Sequence, residues 1–107
     1  MNTKTTEIFD EDGYPTEETL ERIEKWDWQD ALGCLRFVKD CWHWDDWAVE
    51  TAAKEGIEFR FATGGWSGNE SLIGALQRNH MVWVLAWRMS QSGGLFVFHY
   101  LPLKEKE

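Results

Sequence analysis

Long apolar runs, basic residues and paired cysteines are scarce in this chain of 107 residues, and each shortage excludes something. No stretch approaches the roughly 18–20 consecutive apolar residues of a membrane-spanning helix. The polar start Met1-Asn2-Thr3-Lys4 is not that of a secretory leader, so a cytoplasmic protein with no membrane partner is expected. Lysine and arginine total 11 against 19 aspartates and glutamates, a net charge of −8. Residues 1–30 hold ten acids against Lys4, Arg22 and Lys25, a balance of −7, while residues 31–107 sum to −1. Phosphates would meet repulsion and few counterion-displacing bases, which argues against direct nucleic-acid binding. A protein with a basic surface would instead be attracted.

The two cysteines, Cys34 and Cys41, lie seven residues apart on one predicted helix. Their Cα atoms then stand about 10 Å apart, beyond the roughly 7 Å that a disulfide tolerates, so reduced core thiols are expected. Neither Cys-x-x-Cys nor His-Glu-x-x-His spacing occurs. On a helix Cys41 and His43 would point about 200° apart, so no metal site is expected from Cys34, Cys41, His43, Asp45 or Asp46. The three histidines are scattered, and Gly65-Trp66-Ser67-Gly68-Asn69 lacks the final glycine of a nucleophile elbow. No catalytic constellation and no cofactor site stand out.

What the chain does have is tryptophan, at positions 26, 28, 42, 44, 47, 66, 83 and 87. With 43% apolar residues and 15% aromatics, a folded single domain over residues 1–107 is expected, with a loose acidic arm at 1–13 and a charged tail at 104–107. Thr16 is a natural N-cap, with Glu17 and Glu18 in the first turn and Leu20 and Ile23 on an apolar stripe. Asp27 can cap a second helix whose stripe is Trp28, Ala31, Leu32, Leu35, Val38, Cys41 and Trp42. Residues 47–51 and the alternating Ile57-Glu58-Phe59-Arg60-Phe61 read as strands around a turn at Lys54-Glu55-Gly56. Ser67 and Glu70 match a capping box, followed by Leu72, Ile73 and Leu76 in a short helix. Residues 81–89 are apolar on both faces and read as the central strand; a hairpin at 90–94 returns into a strand over 95–101. The order ααββαββ predicts an α+β fold, a four-stranded antiparallel sheet with helices packed on one face.

This scheme sorts the tryptophans. Trp28, Trp42, Trp83 and Trp87 fall on core-facing positions. Trp26, Trp44, Trp47 and Trp66 fall at element ends and loops, where half-exposed indoles can anchor a partner, or stack a sugar. The glycine-rich Thr63-Gly64-Gly65-Trp66-Ser67-Gly68-Asn69-Glu70 lies between a strand and a helix start, where backbone N–H groups can meet an anion. It lacks the lysine of a phosphate-binding loop, and Glu70 would repel a phosphate.

That motif, the hairpin with Trp83, Trp87 and Ser92-Gly93-Gly94, and the opening Asp12-Gly13-Tyr14-Pro15-Thr16-Glu17-Glu18 resemble a group of small proteins of phages and prophages. The resemblance implies an accessory product of a mobile element, acting in the host cytoplasm by binding and blocking a host protein. The leading expectation is a non-enzymatic inhibitor of a host defence or nucleic-acid-handling protein, of the anti-CRISPR or a similar counter-defence kind. Its partner-binding residues would be Glu17, Glu18, Glu21 and Glu24 on the acidic helix, with Trp26, Trp44, Asp45, Asp46, Trp47 and Trp66. Two other readings stay open: a ligand-binding or enzymatic domain using residues 64–70, and a structural or assembly protein.

Overall fold

In the computed structural model, which describes residues 8–101, the first helix, α1 (Glu17–Glu24), starts at the predicted cap. Thr16 Oγ1 accepts from the Thr19 N–H at 3.2 Å, and Glu17 and Glu18 sit at the positive end of the helix dipole. The loop before it is tied down rather than loose. Thr19 Oγ1 donates to Ile8 O at 2.8 Å, the Thr16 N–H donates to Ile8 O at 3.0 Å, and Asp10 Oδ1 accepts from the N–H groups of Asp12 and Tyr14. Residues 8–13 are therefore ordered loop. The remainder of the expected arm, residues 1–7, and the tail at 104–107 lie outside the described residues.

Two aspartates in succession start the second helix. Asp27 accepts from the Gln29 N–H and caps a 3-10 turn over Trp28–Asp30; Asp30 accepts from the Gly33 N–H and caps α2 (Ala31–Cys41). Ala31, Cys34, Leu35, Val38 and Cys41 form its buried stripe. Trp28 falls in the 3-10 turn and not on that stripe, and it is 41% exposed, which corrects its assignment to the core. Burial drives the Cys34 thiol up to about 12, aided by the charge of Asp30, and burial likewise drives Cys41 to about 12. Both are free thiols.

A second 3-10 turn, Asp45–Trp47, leads into β1 (Ala48–Ala53), which pairs antiparallel with β2 (Gly56–Ala62). After α3 (Ser67–Arg78) the chain departs from expectation. Residues 80–86 form a further helix, α4 (His80–Ala86), and only Trp87–Gln91 is strand, β3, ahead of β4 (Leu95–Tyr100). The sheet order is β1-β2-β4-β3, so β2 and β4 are central and β3 is an edge strand. A cap decides the conformation of 80–86. Asn79 Oδ1 accepts from the Val82 N–H at 3.2 Å, while its Nδ2 donates to Ile23 O at 2.9 Å and Trp26 O at 3.0 Å. One buried amide thus starts α4 and satisfies carbonyls at the end of α1.

The fold is α+β, with four helices and a four-stranded antiparallel sheet. Cross-strand pairs Ala48↔Phe61, Phe59↔Phe98 and Phe61↔Phe96 put the apolar side chains on one face. Ile23, Leu35, Val38, Leu72, Leu76 and Val82 from the helices pack into the same core. On the opposite face Val49, Thr51 and Arg60 are exposed. No helix among the described residues is long and apolar enough to cross a membrane.

Candidate functional site

The residues around α3 build the most organised exposed surface. Asn69 lies on the buried side of α3 with Leu72, Ile73 and Leu76, and it is completely buried. Its Oδ1 accepts from the His43 N–H at 2.9 Å, and its Nδ2 donates to His43 O at 3.2 Å and Thr63 O at 3.3 Å. This amide clamps the chain that leaves α2 against the chain that leaves β2. The next residue, Trp44, is held with φ of 68°, the only non-glycine among the described residues in the left-handed region. Such a conformation costs on the order of 1–2 kcal/mol for an L-residue and persists only where the surroundings enforce it.

The enforced geometry aligns five rings. Tyr14 and Trp66 have centroids 4.8 Å apart, Trp66 and His43 4.5 Å, His43 and Trp44 4.5 Å, and Trp44 and Trp47 5.3 Å. Gly64, at φ 64°, lies under the far end of this row. A Cβ there would come within 2.5 Å of Trp47 Cζ3 and 2.7 Å of Trp44 Cζ3, so glycine is required both for the turn and for the close approach of the rings. Trp44 and Trp47 are nearly half exposed, Tyr14 and His43 are exposed, and Trp66 is half-buried. The indole N–H groups of Trp44, Trp47 and Trp66 have no acceptor among the described residues. By contrast Trp42 donates to Ala62 O at 3.0 Å from within the core.

Acids flank the ridge. Asp10 and Asp12 belong to the turn that delivers Tyr14, Glu17 and Glu18 follow it on α1, Asp46 separates Trp44 from Trp47, and Glu70 lies one turn from Trp66; all are exposed. The side chain of Asp45 is outside the described ones. Of the four glutamates expected to act together, Glu17 and Glu18 lie near Tyr14. Glu21 pairs with Lys25 at 3.1 Å and Glu24 with Arg78 at 2.7 Å, so half of that acidic face is compensated within the chain.

The structure brings together Trp44, Asp46, Trp47 and Trp66 from the expected set and leaves Trp26 apart. Trp26 packs on Phe37 at 5.3 Å beneath the Arg22 guanidinium, and its N–H donates to Asp30 Oδ2 at 3.0 Å. Tyr14, His43 and Asn69 complete the ridge and were not singled out for it. A polar residue on the apolar stripe of α3 is the signal that marks Asn69. The expected capping box is absent: Trp66 is the N-cap residue of α3 without a side-chain bond, and Ser67 Oγ lies 3.3 Å from Tyr14 Oη. The Trp66 ring packs tightly on Gly68, where a Cβ would come within 2.2 Å of it. With the indole over the first turn of α3 and Glu70 exposed beside it, the loop offers an anion poor surroundings.

Of the tryptophans assigned to the core, Trp42 is 3% exposed and Trp83 half-buried, stacked on Trp87 at 6.0 Å. Trp87 is 42% exposed because β3 is an edge strand, which corrects its core assignment. No three of His, Cys, Asp and Glu among the described residues are grouped so that they could hold a metal ion. Compared with known proteins, the chain matches no protein-family model, no curated protein and no solved structure.

Proposed function

We propose that this chain is a protein-binding domain that recognises a basic partner surface through the aromatic ridge Tyr14–Trp66–His43–Trp44–Trp47 and its acidic rim. The observation that carries the reading is the left-handed Trp44, held in place by a fully buried asparagine yet presenting its ring to solvent. A backbone strained to expose an aromatic ring serves contact better than packing. Aromatic faces attract lysine and arginine by cation–π interaction, the surrounding carboxylates add long-range attraction, and the unpaired indole N–H groups can take backbone carbonyls of a partner. The partner class that the acidity favours is a protein whose basic surface handles nucleic acid. Blocking such a protein is the mode of action that the resemblance to phage proteins implies.

The test is partner capture from a bacterial lysate at low and high salt, repeated with Trp44→Ala/Trp47→Ala and with Glu17→Lys/Glu18→Lys. A partner lost with both variants and released by salt supports the reading. A partner retained by the tryptophan double variant would refute it. A row of rings beside carboxylates also suits a glycan. Binding of oligosaccharides that ignores salt and fails with the tryptophan variant would favour that second reading.

A further inference from the structure

The sheet order β1-β2-β4-β3 leaves two edges, and they differ in how they are guarded. β3 carries a register shift between Trp87 and Met89 and a charge at Arg88, the bulge and the basic residue that ordinarily keep other chains off an edge. β1 has neither. Ala48-Val49-Glu50-Thr51-Ala52-Ala53 contains no proline, lysine or arginine, and it pairs with β2 without a shift. The register fixes which of its main-chain groups are free. Just past the end of β2 the Thr63 N–H donates to Gly94 O at 3.0 Å, so the odd-numbered residues of β2 bond towards β4 and the even-numbered ones towards β1. Their partners on β1 are Val49, Thr51 and Ala53, which leaves Ala48, Glu50 and Ala52 with N–H and C=O directed away from the sheet. Ala48 is buried. Glu50 is half-buried and Ala52 exposed, and their outward main-chain groups meet no partner among the described residues.

We propose that this edge takes an extended segment of the basic partner inferred above, as an added strand antiparallel to β1. The inference rests on that reading and adds to it the partner's conformation. Donors and acceptors repeating at every second residue along an edge are the pattern that another extended backbone completes. A second copy of the chain is the poorer fit. The two-fold register that brings all three outward residues of β1 onto one another centres on Glu50. It sets Glu50, held by Arg36 at 2.6 Å, opposite its own copy, between chains that each carry a net charge of −8. A basic segment meets no such opposition. Its path also leads to the ridge, because β1 begins directly after Trp47. A strand antiparallel to β1 reaches Ala48 with its C-terminal end, and the residues that follow the paired stretch arrive at Trp47 and the exposed Asp46. A lysine or arginine there has an indole face and a carboxylate to contact.

Amide-resolved NMR of the full chain tests this with a capped peptide, Thr-Val-Thr-Val-Lys-Lys, titrated into the millimolar range. Binding should shift the indole signals of Trp44 and Trp47 and slow amide exchange at Glu50 and Ala52. The same peptide N-methylated at alternate residues along its pairing edge keeps its charge and should bind about tenfold or more weakly. Ala52→Pro, which removes an outward N–H that β2 does not use, should weaken binding likewise while circular dichroism stays that of the parent. Should that variant fail to fold, the N-methylated peptide decides the question with the protein unaltered. Indole shifts without slowed exchange at Glu50 and Ala52, or equal binding of the N-methylated peptide, overturn the added strand and leave the ridge reading in place. Slowed exchange without indole shifts upholds the added strand and refutes the ridge. A peptide that moves neither overturns both.

Discussion

Replacing Asn69 by alanine removes three hydrogen bonds at once without touching any ring of the aromatic ridge. The lost partners are the His43 N–H, His43 O and Thr63 O, at 2.9, 3.2 and 3.3 Å. Each such bond contributes a net 0.5–1.5 kcal/mol, so their loss costs about 3 kcal/mol. Part of it returns, because freeing His43 lets Trp44 leave the left-handed region and recover about 1 kcal/mol of strain. The net destabilisation is then about 2 kcal/mol, equivalent to a fall in melting temperature on the order of 10 °C for a domain of this size. Asparagine to aspartate should be worse at neutral pH than alanine, since a carboxylate would face two carbonyl oxygens with no hydrogen to offer them. Urea unfolding gives the energy. Near-UV circular dichroism reports the ridge, whose coupled indoles should lose their fixed geometry in the folded variant. An alanine variant within about 0.5 kcal/mol of the parent, or one with an unchanged near-UV spectrum, would refute the claim that Asn69 holds Trp44 in place.

Three further outcomes are expected. Gly64→Ala should destabilise by about 1 kcal/mol more than Gly65→Ala, because both have positive φ but only at 64 would a Cβ meet the rings of Trp44 and Trp47; urea melts of the pair isolate the ring contact. Asn79→Ala should cost about 2–4 kcal/mol and speed hydrogen exchange throughout α4, since one amide both caps that helix and binds Ile23 O and Trp26 O. Cys34 and Cys41 bind their protons more tightly folded than unfolded, so the stability they contribute is complete below pH 9 and declines as pH rises from 9 towards 12. Melts across the alkaline range should therefore fall less steeply for Cys34→Ala/Cys41→Ala, and an Ellman reaction that is rapid in the native state would contradict the burial of these thiols.

Elements with a single clear period were legible in the sequence. Ile57, Phe59 and Phe61 alternate on one face of β2, the stripe of α2 recurs at helical spacing, and Thr16 is a cap with acids behind it. The segment from 81 to 89 was not legible, because an apolar run satisfies both periods equally and its valines and tryptophans favour a strand by composition. Its conformation is set by Asn79, whose role as a cap depends on carbonyls of Ile23 and Trp26 that lie more than fifty residues earlier. The ridge has the same character. Trp44, Trp47 and Trp66 were legible as marginal residues, since each lies at an element end. Their union with Tyr14 and His43 depends on Asn69 and Gly64, and that contact map has no local signature.

The fate of the indole N–H distinguishes three tryptophans from those of the ridge. Trp26, Trp42 and Trp87 donate to Asp30, Ala62 O and Ser90 Oγ, so their polar edges are satisfied within the domain. Trp42 packs on Phe61 and Trp26 on Phe37, while Trp83 packs on Phe96 and Phe98. Those of the ridge share ring faces with one another and have no acceptor for their N–H groups among the described residues. An indole pays for its burial only when both its face and its donor find partners. In the ridge the faces are partly matched and the donors have no acceptor among the described residues, which is why the proposed partner would offer cations to the faces and carbonyls to the N–H groups. The exposed acids around Tyr14 and Trp47 are the reason the proposed partner would be basic. The exposed side of α4, formed by Met81, Val84 and Leu85, carries no acid, so any contact made there should strengthen with salt where contacts of the acid-rimmed ridge weaken.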